Sequence, residues 1–407
     1  MKTGRPEDVL DWLKPGARIF VQGATGEPAA FIETLRAAPD RLVGVDLWSC
    51  LVPGINTFDY GALHPEMRFT SFMASPALAA SIASGTTTIR NLPYSQIGPL
   101  LDSLTFDAAI LQVAPPQGDA CSFGVCCDTG PIVWPRARRR IAYINSRMPR
   151  IANAETLPLD AIDLAIETDE PLIAAAAAKS NETLAAIARI AAPLVPDGAA
   201  IQSGIGQAPG AVIAALDKHR GLSIHSGLVT PEYRRLAEAG ALDEGAAHLS
   251  GIAYGDKDFY AWLGETGLIA FRSILETHSP AGLAATPGFT SINSALEVDL
   301  SGALNIEWLS DRRISSLGGA PDYIRGAVAS RGGRSIIALP ATTRTGASRI
   351  LPRLAPGAQS IAGEETDVIV TEHGAAELRG LGPEARARAL IAIAAPEHRE
   401  MLERSIG

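Results

Sequence analysis

Short apolar runs rich in β-branched residues alternate with longer amphipathic stretches along the whole chain. The runs Arg18–Gln22, Arg41–Asp46, Ala108–Val113, Arg140–Asn145, Ala161–Glu167, Ala200–Ser203, Leu268–Arg272, Ser335–Leu339 and Asp367–Thr371 read as strands. Most are apolar almost without a break, the pattern of strands covered on both faces, which predicts parallel sheets flanked by helices. Helices are expected over Glu27–Ala37, Glu182–Ile190, Ala208–Ala215, Pro231–Ala239, Pro383–Ala394 and Pro396–Ser405. The fold class is therefore α/β.

At Ala192–Ala199 two prolines, Asp197 and Gly198 interrupt this rhythm and mark a seam. It divides the chain into domains 1–191 and 192–407, two similar open, mostly parallel α/β units. Each opens in the same way. A strand leads into Gly23-Ala-Thr-Gly26-Glu27-Pro28 and a helix in the first, and a strand leads into Gly204-Ile205-Gly206-Gln207-Ala208-Pro209 and a helix in the second. The recurrence, roughly 180 residues apart, is what two related halves would show.

Composition narrows the partners. Of 407 residues only 19% are charged, and 35 Lys+Arg against 44 Asp+Glu leave a net charge of −9, so a disordered chain and a nucleic-acid binder are both poor fits. The one dense basic run, Arg136–Arg140, is broken by Ala137. The longest apolar stretch, around Leu172–Ala178, stops at Lys179, short of the ~18–20 residues that span a bilayer. Glu7, Asp8 and Asp11 stand where a signal peptide needs apolar residues, so a cytoplasmic location is expected. Cys50, Cys121, Cys126 and Cys127 are too few for a disulfide framework, and their spacing matches no zinc ribbon. No metal is expected.

Several segments carry candidate chemistry. A glycine turn between strand and helix, as at Gly204-Ile205-Gly206, brings backbone close to a ligand while the helix start offers N–H groups to an anion; an empty tight turn would look the same. Asn293 to Leu300 alternates as one strand would, with Asn293, Ala295, Glu297 and Asp299 on one face, fit either for acid–base work or for water. Gly318-Gly319 and Gly332-Gly333 mark sharp turns or close approaches. His225, His278 and His373 are scattered singly, and Ser226 beside His225 makes no triad, since neighbours in a strand point opposite ways.

Taken together these segments resemble the acetyl-CoA hydrolase/transferase family, which includes 4-hydroxybutyrate, butyryl and succinyl CoA-transferases. The matching pieces are Gly23–Pro28, Leu111–Pro116 with Cys121–Gly124, Asn145–Arg150, Gln202–Gly206, Ile224–Ser226, Ser291–Leu300, Arg334–Pro340 and Val370–Gly374, in order. The resemblance implies an acyl-CoA enzyme with coenzyme A and a small carboxylic acid as partners, a homodimer or larger assembly, and neither membrane nor nucleic acid. By motif position Gly204, Ile205, Gly206, Gln207, Ala208, Leu296 and Gly319 would lie against coenzyme A, with the Gly319 N–H facing the thioester oxygen.

Two positions depart from the family pattern. Where the family carries a nucleophilic glutamate two residues after the histidine, the run here is His225-Ser226-Gly227, and the segment that usually carries an amide just before a proline reads Thr277-His278-Ser279-Pro280. Glycine cannot form a glutamyl thioester. Three readings follow: a CoA-transferase with a nucleophile from elsewhere, Glu297 or Glu232; a thioester hydrolase in which water takes the room left by Gly227 and His225 or His278 acts as base; or a binding protein without catalysis.

Overall fold

The computed structural model describes residues 2–175 and 181–406. The end of the Leu172–Ala178 apolar stretch lies outside them. The chain forms two compact units, Met1–Ala176 with Leu249–Thr277, and Ala177–His248 with His278–Gly407. The helix Glu182–Ala191 and the residues of the Ala192–Ala199 segment belong to the second.

Among the described residues, the first unit holds an eight-stranded sheet. Its order is Lys2–Gly4, Leu164–Thr168, Arg140–Asn145, Ala108–Val113, Arg18–Val21, Asp46–Ser49, Arg68–Ser71 and Thr87–Ile89, and every pairing is parallel. All six residues of Ala108–Val113 are buried, as expected of a central strand covered on both faces. Strand order reverses between Arg18–Val21 and Ala108–Val113, because the chain first runs outward to Thr87–Ile89 and then returns to the other side. The Gly23–Pro28 turn leaves the sheet at this reversal. Asn56 braces it: its Oδ1 accepts from Ala24 N at 2.9 Å, and its Nδ2 donates to Glu27 Oε2 at 3.1 Å.

In the second unit the strands Ser223–Val229, Ala200–Ser203, Phe289–Asn293, Arg334–Ala338 and Val368–Thr371 run parallel in that order, and Gly374–Glu377 closes antiparallel. Here too the order reverses beside the first strand, between Ala200–Ser203 and Phe289–Asn293. A glutamine bridges each reversal. Gln112 N donates to Gln22 Oε1 at 2.7 Å in the first unit, and Asn293 Nδ2 donates to Gln202 Oε1 at 3.0 Å in the second. Open parallel sheets bind ligands at such reversals, outside the carboxyl ends of the strands.

Two expectations are corrected. Arg41–Asp46 is not a strand: Pro39–Leu42 forms a tight helical turn and Gly44 adopts φ +71, so the strand starts at Asp46 and runs to Ser49. The alternating Asn293–Leu300 run is not one strand either. Phe289–Asn293 belongs to the main sheet, whereas Glu297–Asp299 pairs with Leu304–Asn305 and Ile350–Leu351 in a small separate sheet. Asn293 and Glu297 therefore share no strand face.

Candidate active site

The site is built on the carboxyl edge of the second sheet. Gly204 follows the Ala200–Ser203 strand directly, its N–H donating to Ile292 O at 2.8 Å. A Cβ on Gly204 would stand 2.5 Å from Asn293 Oδ1, so only glycine lets the turn pass the Gln202–Asn293 bridge. Gly206 then takes φ +152, which glycine adopts without strain, and the helix Gln207–Ala214 begins. Ile205, Gly206 and Gln207 are exposed at this opening, while Ala208 is buried against the unit. The exposed backbone and the helix start suit the phosphate-rich end of a nucleotide-like ligand.

A second group forms around His278. This histidine is buried and immediately precedes Ser279, whose Oγ accepts from Gly282 N at 3.2 Å to cap the helix Pro280–Ala285. Gly318, with φ +55, turns the chain into Gly319, the residue that precedes the helix Ala320–Ala329. Tyr323 sits one turn into that helix, its N–H donating to Gly319 O at 3.1 Å. Helical side chains lean toward the N-terminus, which brings the Tyr323 ring back over Gly319 and onto His278, with ring centroids 4.6 Å apart.

Gly227, in the Ser223–Val229 strand, faces the same two rings. A Cβ on Gly227 would lie 2.7 Å from His278 Cε1, 2.8 Å from the Tyr323 hydroxyl and 2.9 Å from His278 Nε2. On Gly319 it would lie 2.5 Å from His278 Nε2 and 3.1 Å from Tyr323 Cε2. The expectation that Gly227 leaves room for a water is thereby overturned, because the imidazole and the phenol occupy that room. His278 and Gly227, both singled out in the sequence, are in one contact set.

Burial, and then the neighbouring His225, push the His278 pKa down to about 3. The ring is neutral at pH 7, and so low a pKa makes it a weak proton acceptor, best suited to hydrogen bonding. His225 is buried in the Ser223–Val229 strand with its ring edge-on to Phe289 at 5.8 Å. Ser226 points elsewhere, its Oγ donating to Leu228 O at 2.7 Å.

Glu297 has other company. Its Oε2 accepts from Asn305 Nδ2 at 2.8 Å, and the half-buried Arg349 guanidinium, donating to Leu296 O at 3.0 Å, interacts electrostatically with both Glu297 and Glu372. This carboxylate braces the Glu297–Asp299 strand, which Leu296 immediately precedes. Glu232 lies in the first turn of the helix Pro231–Glu238. Among the described residues no group of His, Cys, Asp and Glu is arranged to hold a metal ion. Tyr323 went unnoticed in the sequence, although its place one turn after a glycine pair was the available signal.

The chain belongs to the acetyl-CoA hydrolase/transferase family, and the sheet reversal with its glycine turn and the second glycine pair that opens a helix are compatible with it. The family's N-terminal domain matches residues 1–176 and its C-terminal domain residues 255–406. The 4-hydroxybutyrate coenzyme A transferase of Clostridium kluyveri is 30% identical over 407 residues, covering 97% of this chain and 95% of the relative. Among solved structures, RipA from Yersinia pestis superposes with a TM-score of 0.92 at 28% identity over 99% of this chain and 96% of that one. The 4-hydroxybutyrate CoA-transferase of Porphyromonas gingivalis gives 0.83 at 28%, over 100% and 97%.

Proposed function

We propose that the chain acts on a small acyl-CoA, as a CoA-transferase or a thioester hydrolase, and that the acceptor attacks the thioester directly instead of through an acyl bond to residue 227. The observation that carries this is the filling of residue 227's side-chain space by His278 and Tyr323. Coenzyme A lies along Gly204, Ile205, Gly206, Gln207 and Ala208, with Leu296 beside it and the Gly319 N–H toward the carbonyl oxygen. The protein is a cytoplasmic homodimer or larger homo-oligomer in this reading.

The chemistry balances with either acceptor. When water attacks, its oxygen bonds to the carbonyl carbon, the C–S bond breaks, the thiolate takes up a proton, and a carboxylic acid and coenzyme A leave. With a carboxylate, attack releases the thiolate and forms a bound anhydride. The thiolate then attacks the acceptor's carbonyl and expels the donor's acid as its carboxylate. In both cases the oxyanion forms where Gly319 can donate, a role worth ~2.7–4 kcal/mol per donor. His225 is the candidate for moving the proton, and His278 serves as a neutral partner.

The test is to incubate the protein with acetyl-CoA, butyryl-CoA or 4-hydroxybutyryl-CoA, with and without a second carboxylic acid. Exchange of the acyl group marks transfer, and free coenzyme A without acceptor marks hydrolysis. Borohydride reduction should trap no modified glutamate. Recovery of a reduced glutamyl residue would sink the direct-attack reading, and inertness toward all three thioesters would sink the activity itself.

A further inference from the structure

We propose that His248 is a positioning residue of the site: in its neutral form it clips the start of the Ser223–Val229 strand, which carries His225 and Gly227, and protonation of its ring opens the clip. The proposal rests on the acyl-CoA reading above and adds to it a control by acid. His248 is 2% exposed, and both ring nitrogens are taken by backbone. Ile224 N donates to Nδ1 at 3.1 Å, and Nε2 lies 3.0 Å from Asp243 O. An amide N–H can only donate and a carbonyl can only accept, so the two contacts admit one form of the ring, bare at Nδ1 and protonated at Nε2. A second proton would stand on Nδ1 and point at the Ile224 N–H, leaving that buried amide without its acceptor.

The clip sits on one edge of the strand. Ser223 N donates to Ala199 O at 2.9 Å, on the side of the Ala200–Ser203 strand, and successive amides of a strand face opposite edges, so the Ile224 N–H turns the other way. There the imidazole supplies the acceptor that a ladder carbonyl would supply. On the same edge Leu222 N donates to Ala241 O at 3.0 Å and Asp243 N donates to Leu222 O at 2.8 Å. His248 thus ties to Ile224 the turn that Leu222 already holds, a turn closed by Ala246 N to Asp243 O at 3.1 Å and by Gly245 N to Asp243 Oδ1 at 2.9 Å. The next residue after Ile224 is His225, so a loosened clip loosens the strand at the site. Burial pushes the His248 pKa down, and the carbonyl and carboxylate of Asp243 offset only part of this. Asp243 is the charged group that bears on the ring; Glu244 beside it is exposed, and Ser223, Ile224, Leu249 and Ser250 are uncharged. Because the folded ring binds its proton more weakly than an ordinary imidazole, the clip is complete above about pH 6.5 and is lost as the pH falls through the lower folded value.

The experiment is hydrogen exchange of the full chain as a function of pH, read on peptides covering residues 222–226 and corrected for the intrinsic pH dependence of exchange, in wild type and His248→Asn. An asparagine Oδ1 stands near the place of Nδ1 and accepts from the Ile224 N–H without titrating. In wild type, protection at residues 222–226 should fall reversibly by ~10-fold or more between about pH 7 and about pH 5, while that of the Ala108–Val113 strand holds; the variant should show no such fall. Protection that ignores pH in wild type, or the same fall in the variant, would overturn the clip. The second readout is kcat/KM on the acyl-CoA that wild type turns over fastest: wild type should lose activity over the same acid range and the variant should keep it. An acid loss shared by both proteins would overturn the positioning role. Should His248→Asn fail to fold, the ¹⁵N shifts of the wild-type ring decide: a bare Nδ1 and a protonated Nε2 near pH 7, with Nδ1 taking up its proton in step with the exchange, support the clip, and a ring bare at Nε2 or already charged near pH 7 overturns it. Wild type inert on every thioester would overturn the acyl-CoA reading and the positioning role with it, while the exchange result still decides the clip.

Discussion

At the scale of single residues, the chemistry at position 227 depends on what surrounds it more than on the glycine itself. Restoring a glutamate looks like a one-residue change, but its Cβ would meet His278 and Tyr323 at 2.7–2.9 Å, and neither ring is a flexible end that can swing aside. Overpacking of this kind costs about 1–3 kcal/mol. Gly227→Glu should therefore lower the urea midpoint and yield no borohydride-trapped glutamate, whereas the same change combined with His278→Ala should recover stability. A stable single variant would show that the rings give way. Asp128 offers an independent residue-level prediction. It is buried in the first unit, and burial raises its carboxyl pKa to about 6, only partly offset by hydrogen bonds from Thr129 and Cys126. Because the folded pKa lies above the ordinary value of about 4, its contribution to stability is complete below that pH and is lost as the pH rises through 6. Asp128→Asn should remove that loss, so at pH 7–8 the variant should gain up to roughly 3 kcal/mol over wild type in urea unfolding. Equal pH dependence in both proteins would show that Asp128 is not the titrating group.

At the scale of elements, what could be read from sequence follows from burial. Ala108–Val113, Arg140–Asn145 and Ala200–Ser203 were placed to the residue, because strands covered on both faces leave an uninterrupted apolar signal. The Ser223–Val229 strand, Ser-Ile-His-Ser-Gly-Leu-Val, has no such signal, since Ser223, His225, Ser226 and Gly227 interrupt its apolar run. The alternating Asn293–Leu300 run misled for the opposite reason: period-two alternation persists across the bend at residues 294–296, where the chain leaves one sheet for another. The glycine turns at residues 204–206 and 318–319 were themselves legible. The placement of Tyr323 was not, because it depends on a helical side chain leaning back over Gly319 and on proximity to residue 227, far away in sequence. The basic run Arg136–Arg140 is also explained at this scale. Arg136, Arg138 and Arg139 pair with Asp102, Asp107 and Asp163, so the charge is spent between neighbouring loops of the sheet.

At the scale of the whole molecule, each unit has its own buried core, and the residues of the candidate site all belong to the second unit. Coenzyme A should therefore leave a local mark and a global one. A ligand that binds only the folded state stabilises it by about 2.7 kcal/mol at a concentration 100 times Kd, so Tm should climb with the logarithm of coenzyme A concentration. Hydrogen exchange should slow most at residues 204–207 and 319–320, exposed or half-buried positions where the helices Gln207–Ala214 and Ala320–Ala329 open. Gly206→Ala separates the two effects, since its φ of +152 is poorly tolerated by a residue with a Cβ, a strain of order 1–3 kcal/mol. Gly206 has nothing closer than Pro209 Cδ, 3.5 Å from an added Cβ, so the variant meets strain in the turn and no clash in the core. It should lose much of the coenzyme A-dependent rise in Tm while the Tm without ligand falls only slightly. Protection confined to the first unit, or a Gly206→Ala protein that coenzyme A stabilises as strongly as wild type, would move the binding site away from this turn.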